Sequence, residues 1–233
     1  LLAAAVRVAR DRGLESGRAL VAVDSTGCEA RRVSAYYVRV SGRRSTQRRW
    51  PKPTVAIDAR THLFLAARVT RGPAQDAPGW KPAVREASKN APLGAVLGDA
   101  GYDSEADHAY AREEAGGRTT RIPINRRNAG RKRPKTPRRR EMRRRFRRPR
   151  RGRDGRRRKP RRIYNQRWRV ESGSSRDERL MGPALRAVKW PNQVGELLLR
   201  CVVHDVLLLV GDAERREKAA ARASPGPEPA PAA

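Results

Sequence analysis

Short apolar runs that end in polar turns recur along the first half of the chain. Runs of about four to eight apolar residues bounded by turn residues are typical of buried strands. Two such runs, 54–58 and 62–70, flank only three residues and indicate an antiparallel hairpin. The pattern therefore predicts strands at 19–24, 36–40, 54–58, 62–70, 94–99 and 119–124.

Helical patterns lie between and after these strands. Ser104 is a suitable N-cap, with Asp107 three residues later, close to a capping box. Gly13 stands where a first helix should stop. The predicted helices are the end of a helix within 1–18, then 81–90, 104–116, 162–181 and 192–210. This order of strands and helices predicts a ribonuclease H-like α/β fold, a mixed sheet flanked by helices.

The last predicted helix carries a polar stripe. Glu196, Arg200 and His204 recur every four residues within an otherwise apolar segment. This spacing indicates a helix that covers the core and keeps one edge in water. The segment is too short and too polar for a membrane span, and we expect no membrane association.

Positive charge is concentrated in one segment. The 233 residues carry a net charge of +31, and residues 126–162 contribute +21 of it. Such a segment repels itself and cannot bury much apolar surface, so we expect a disordered, flexible basic insertion. Opposite a phosphate backbone it would act as an electrostatic clamp. Compositional bias explains the segment equally well, so it indicates a class of partner and no reaction.

Composition also predicts the domain organisation. We expect the end of a truncated N-terminal helical region at 1–18, one α/β domain at 19–212 and a disordered, low-complexity tail at 213–233. Cys28 and Cys201 form no CxxC pair, and the chain has three histidines, so a zinc site is not expected. The cysteines indicate thiols in a reducing cytosol.

Three acidic residues lie in distinctive local patterns. Asp24 follows an apolar strand in VAVDSTG, Asp99 follows another in VLGDAGYD, and Glu171 lies in YNQRWRVE. Tyr164, Arg167 and Glu171 are spaced by three and four residues, so they share one helix face. If the two strands are adjacent, both aspartates lie at the edge where open α/β sheets bind ligands. Carboxylates that converge can hold divalent metal ions for phosphoryl transfer.

Each acid also has a purely structural interpretation. Asp24 precedes Ser-Thr-Gly and Asp99 lies between glycines, and both contexts suit a turn in which Asp bonds to its own backbone. Glu171 can simply pair with Arg167 one helical turn earlier. Taken singly, each aspartate favours the turn interpretation, and only the combination favours a site.

Several phrases together resemble the catalytic domain of DDE transposases from bacterial insertion sequences. They are VAVDSTGCEA, VLGDAGYDSEADH, PINRRN, YNQRWRVES and PALRAVKWP, and the resemblance spans residues 19–208. It implies that Asp24, Asp99 and Glu171 are the catalytic, metal-binding residues. It also implies that Tyr164 and Arg167 accompany them and contact DNA. We further expect Arg126, Arg127 and Arg176 to contact DNA.

The resemblance implies a reaction and its partners. Two Mg²⁺ or Mn²⁺ ions, roughly 3.5–4 Å apart, would support cleavage of transposon ends and joining of the freed 3′-hydroxyl to target DNA. We expect a homo-oligomer on DNA, a partner from an upstream reading frame, and a nucleoid-associated location in the bacterial cytoplasm.

Glu178 departs from the family pattern and keeps two alternatives open. It stands where the resemblance leads us to expect a lysine, and a carboxylate there would repel phosphate. One alternative is a degenerate transposase remnant that binds nucleic acid without catalysis. The other is a basic nucleic-acid-binding protein whose three acids are only turn residues.

Overall fold

A computed structural model gives the positions of most of the chain. The residues it describes are 1–14, 17–28, 40, 50–125, 133–146, 163–182 and 184–223. Arg126 and Arg127 lie outside these ranges, as does nearly all of the strand predicted at 36–40. Those predictions therefore stay predictions.

Among the residues that the structure describes, five strands form one mixed sheet. They are β1 (Ala19–Ser25), β2 (Pro51–Asp58), β3 (Phe64–Arg71), β4 (Leu93–Leu97) and β5 (Thr119–Arg121). Their order across the sheet is β3-β2-β1-β4-β5. The pairs β1–β2 and β2–β3 are antiparallel, whereas β1–β4 and β4–β5 are parallel. With helices flanking this sheet, the α/β fold is consistent with the predicted ribonuclease H-like class.

Six helices accompany the sheet within the described residues. They are α1 (Leu2–Asp11), α2 (Ala77–Asn90), α3 (Glu105–Ala109), α4 (Pro137–Phe146), α5 (Trp168–Met181) and α6 (Trp190–Ala223). Short 3₁₀ turns at Ala100–Tyr102 and Tyr164–Arg167 precede α3 and α5, and a π-helical turn at Tyr110–Glu114 extends α3. Ser104 caps α3 as predicted, because its Oγ accepts the backbone N–H of Asp107 at 3.1 Å.

Apolar side chains cover both faces of the sheet. Val21 and Val23 of β1 belong to a core that includes Trp80 of α2. Ala22, which points the other way in the pleat, belongs to a second core with Val170 of α5 and Cys201 of α6. The central strand is therefore buried on both sides, which fixes its end rigidly at the edge of the sheet.

Two helices depart from the sequence predictions. Part of the basic segment, at 137–146, forms α4 instead of a flexible arm, and Met142 on this helix is fully buried. Helix α6 continues past 212 to Ala223, so the first part of the predicted disordered tail is helical. Alanine, glutamate, lysine and arginine dominate that extension, and all four are good helix formers.

The polar stripe on α6 is also not a wet edge throughout. His204 is buried, and Arg200 donates to the backbone carbonyls of Gly182 and Ala184. Glu196 accepts the backbone N–H groups of Arg186 and Ala187. The stripe thus anchors the connection between α5 and α6. Within the described ranges, no helix is long and apolar enough to cross a membrane.

Candidate active site

Two of the three predicted acids lie at the carboxyl ends of adjacent parallel strands. Asp24 is the second-to-last residue of β1, and Asp99 lies two residues after the end of β4. Ala22 and Leu97 are partners in the register between these strands. Because the carboxyl ends of neighbouring parallel strands meet at one edge, both aspartates reach the same edge of the sheet.

A hydroxyl network ties the loop after β4 to the end of β1. The Ser25 Oγ lies 2.9 Å from the Tyr102 hydroxyl and 2.7 Å from the Thr54 Oγ1. Tyr102 is buried and packs on Trp80, with ring centroids 4.9 Å apart. This network links Ser25, which is next to Asp24, to Tyr102, which lies three residues after Asp99.

The loop that carries Asp99 is tight. The Asp99 Oδ1 accepts the backbone N–H of Gly101 at 2.8 Å and so caps the 3₁₀ turn. A Cβ at Gly98 would lie 2.6 Å from the Trp80 ring. Asp99 therefore does serve a turn, as its structural interpretation predicts, and its charge also raises the pKa of the Asp24 carboxyl.

Helix α5 brings Glu171 to Asp24 through Arg167. The Arg167 Nη2 lies 2.6 Å from the Glu171 Oε1, and its Nη1 lies 3.6 Å from the Asp24 Oδ2. One guanidinium thus contacts carboxylates from two different elements. Gly173 permits this close approach of α5, since a Cβ there would lie 2.8 Å from the Ile57 side chain.

The charges of the three acids act on one another. Burial raises the pKa of the Asp24 carboxyl, Arg167 lowers it, and the charges of Asp99 and Glu171 raise it. On balance the pKa lies above its ordinary value. Three carboxylates from β1, the loop after β4 and α5 therefore share one electrostatic environment.

The three carboxylates are chemically suited to a hard divalent cation, but they are not arranged around one. Within the ranges that the structure describes, no group of three or more His, Cys, Asp or Glu side chains is arranged to hold a metal ion. Arg167 instead contacts Asp24 and Glu171. Carboxylate oxygens are nevertheless the ligands that Mg²⁺ and Mn²⁺ prefer, and their mutual repulsion is what a bound cation relieves.

The accompanying residues fall in different places. Tyr164 packs edge-on against Phe146 of α4, with centroids 4.9 Å apart, and it lies near enough to Arg167 to affect the pKa of that guanidinium. Arg176 lies farther along α5, where it helps to lower the pKa of the half-buried His62, after burial, Arg169 and His204. Arg176 is thus close enough to the turn between β2 and β3 to affect its charge.

Sequence reasoning missed the residues that hold the site together. Ser25 and Tyr102 read as ordinary turn neighbours of Asp24 and Asp99. Asp103 reads as a helix start, yet its fully buried carboxylate pairs with Arg139 of α4, 2.7 Å from the Nη2. One signal for these two residues was present in the sequence. Tyr102 and Asp103 follow Asp99 closely, and a turn at Asp99 requires neither side chain.

Comparison with known proteins identifies one family. A protein-family model described as the transposase DDE domain matches residues 15–205. No curated protein and no solved structure matches the chain.

Proposed function

The chain belongs to the transposase DDE domain family, and from this premise we propose that it catalyses metal-dependent cleavage and strand transfer of DNA during transposition of a bacterial insertion sequence. The catalytic residues in this proposal are Asp24, Asp99 and Glu171. DNA, as transposon ends and as target, is the substrate.

The observation that best supports this proposal is the pair of contacts made by Arg167. This residue touches Asp24 on β1 and Glu171 on α5, residues 147 positions apart in the chain. If the acids were only turn residues, nothing would require them to share one cation. The charge of Asp99 raises the pKa of the Asp24 carboxyl, which supports Asp99 as the third member of the proposed triad.

The acids and Arg167 take separate tasks in the proposed reaction. Asp24, Asp99 and Glu171 would hold Mg²⁺ or Mn²⁺, in the expected number of two ions. Such ions make a hydroxyl group nucleophilic and offset charge on the attacking and leaving oxygens. Arg167 offers a planar set of donors that suits a backbone phosphate, and it would orient the scissile strand. Ser25 and Tyr102 keep the two aspartates in register.

The remaining partners are proposed on the family alone. We expect a homo-oligomer to assemble on two DNA ends, with a second polypeptide from an upstream reading frame, in the bacterial cytoplasm near the nucleoid. Arg126, Arg127 and Arg176 remain proposed DNA contacts.

A second candidate function is DNA binding without catalysis. Glu178 favours it, because this exposed carboxylate lies on the same helix as Glu171 and repels phosphate. A degenerate remnant would keep the fold and the basic surface while losing turnover.

Strand cleavage by the purified chain tests the proposal. Supercoiled DNA carrying the element's ends is incubated with Mg²⁺, with Mn²⁺ or with a chelator. The account predicts nicks with 3′-hydroxyl ends and joined products only with metal, and a loss of about 100-fold or more in Asp99→Asn. Nicking that survives this substitution would rule out the assigned triad, and binding without nicking would favour the remnant.

A further inference from the structure

Helix α4 has an unusual composition for a docked helix. Its ten residues, PRRREMRRRF, include six arginines and one acid, Glu141. A helix of this kind cannot be held by apolar packing alone, since Met142 is its one fully buried residue. What holds it and what its free arginines do are therefore separate questions.

Two of the six arginines hold α4 on the domain. Arg139 donates to the buried Asp103 carboxylate from its Nε at 2.9 Å and from its Nη2 at 2.7 Å. Arg138 pairs with Glu105 at 2.9 Å and also with Glu113.

Glu105 also accepts two backbone N–H groups at the start of α4, each at 3.2 Å. Burial works to raise the pKa of Glu105, but these donors and Arg138 lower it to about 2. Glu105 therefore stays ionised and caps the helix. Arg145, farther along, pairs with Glu141 at 2.6 Å, and Glu141 in turn pairs with Arg112 at 2.8 Å.

The other three arginines share the opposite face. Arg140, Arg143 and Arg144 are spaced by three and one residues, so they lie on one side of the helix, and all three are exposed. Among the described residues, no acidic side chain lies within 4.0 Å of any of them. Arg140 donates to the backbone carbonyl of Lys135 at 2.8 Å and is otherwise open to solvent. We call these three residues the outer arginine face.

The ends of α4 connect it to the acidic edge, the name used here for the side of the domain where Asp24, Asp99 and Glu171 lie. Its first turn is bound to Asp103, four residues after Asp99. Its last residue, Phe146, packs on Tyr164, three residues before Arg167. The helix thus spans from the loop of one proposed catalytic acid to the turn that precedes another.

We propose that the outer arginine face binds the phosphate backbone of duplex DNA and seats it against the acidic edge. This inference rests on the proposed function for the identity of the nucleic acid. The three residues cover about 6 Å of helix axis. A duplex presents about three to four phosphate charges over that length, so the charges match in number.

Salt-dependent binding tests the outer arginine face directly. The full chain and the variant R140Q/R143Q/R144Q are titrated onto a labelled 30-bp duplex in chelator, at salt concentrations of about 0.05 to 0.3 M. Loss of three phosphate contacts should lower the steepness of log K against log salt by about 2.7 and weaken binding on the order of 100-fold at about 0.15 M.

Two matched variants complete the design. R140K/R143K/R144K keeps the charge and should retain the wild-type salt dependence. R7Q/R215Q/K218Q removes the same charge from exposed positions on α1 and α6, which contact each other at the β3 side of the sheet, and should weaken binding by less than about threefold. Thermal melts of all variants should coincide, because every substituted side chain is exposed.

Specific outcomes would overturn the inference. The first is an unchanged salt dependence in R140Q/R143Q/R144Q. The second is an equal loss of DNA affinity in the α1 and α6 control. The third is an RNA duplex that binds the wild type more tightly than DNA does and loses as much affinity in R140Q/R143Q/R144Q. Because chelator prevents cleavage, the result does not depend on catalysis. A wild-type chain that binds but never cuts would refute the proposed function and leave the outer arginine face standing.

Discussion

Individual polar contacts decide where the three acids point. Ser25 bonds to Tyr102, Gly101 donates to Asp99, and Arg167 contacts Asp24. Each contact joins segments that are distant in the chain or closes a tight turn. The placement of the acids therefore depends on neighbouring residues as well as on the strands and helix that carry them.

The buried His108 gives a prediction about pH. Burial and Arg112 lower the pKa of this imidazole to about 4, against the opposing charges of Asp103, Glu105 and Glu141. In the unfolded chain the His108 imidazole is protonated below about pH 6.5, whereas in the folded chain it is protonated only below about pH 4. The free energy of unfolding should therefore fall by on the order of 3 kcal/mol as the pH drops through that window.

Urea unfolding at several pH values measures this effect. The variant His108→Gln keeps a polar group for the Thr120 hydroxyl, which lies 2.6 Å from Nδ1, and cannot titrate. Its stability should fall less steeply than that of the wild type between pH 6.5 and 4. Parallel curves would show that His108 does not contribute.

Asp58 gives a prediction about stability without involving the site. Its buried carboxylate accepts the backbone N–H of Leu20 at 2.9 Å and the Thr61 hydroxyl at 3.0 Å. It thus joins the hairpin turn to the start of β1. Asp58→Ala leaves these donors unpaired and should lower the free energy of unfolding by about 2–4 kcal/mol.

Denaturant titration checks this value. Asp11→Ala, at an exposed position on α1, is the control and should change stability by at most about 0.5 kcal/mol. A loss below about 1 kcal/mol in Asp58→Ala would mean that water replaces the carboxylate without strain.

The placement of single residues was predictable only in part. Strand ends and helix spacing indicate where Asp24, Asp99 and Glu171 lie, whereas their catalytic roles were implied by the family resemblance and stay predictions. The contacts of Tyr102 and Asp103 were not predictable, because their partners, Ser25 and Arg139, become neighbours only when β1, the loop after β4 and α4 pack together.

Whole elements show a similar division. Strands β1 to β4 were predictable from their apolar runs, because a strand that is buried on both faces of the sheet needs apolar side chains on both sides. Helix α4 was not predictable, because its composition predicts self-repulsion, whereas acids on α3 and its preceding loop compensate its charge. Composition predicts the behaviour of a segment alone, and α4 is stabilised by its surroundings.

Helix α5 carries a prediction about Glu178. This exposed residue lies about 10 Å along the helix axis from Glu171. Glu178→Lys replaces a repelling charge with an attracting one, so DNA affinity at about 0.15 M salt should rise about fivefold for one added phosphate contact. Cleavage at subsaturating DNA should rise in proportion.

Glu178→Gln separates the two parts of that effect. Removing the repulsion alone should give an intermediate affinity in the same titration. If all three proteins bind and cut DNA equally, position 178 lies away from the DNA and the remnant hypothesis loses its support.

The whole molecule combines a folded α/β domain with an uneven charge. Of the net charge of +31, +21 comes from residues 126–162, and α4 is the part of that segment whose docking the structure describes. The remaining domain carries the acidic edge. Contacts at both ends of α4 join this basic helix to segments that carry the proposed site, and the proposed phosphoryl transfer on DNA would use both kinds of charge.

A change of metal preference tests the central claim, that Asp99 binds the catalytic metal ion. In Asp99→Cys a thiolate replaces a hard carboxylate ligand, and a thiolate suits Mn²⁺ better than Mg²⁺. The measurement is the ratio of DNA cleavage rates in Mn²⁺ and Mg²⁺, with Asp212→Cys on α6 as the control. The account predicts that Asp99→Cys loses about 100-fold or more in Mg²⁺ and recovers at least tenfold in Mn²⁺, while the control keeps the wild-type ratio. An unchanged ratio in Asp99→Cys would contradict the account.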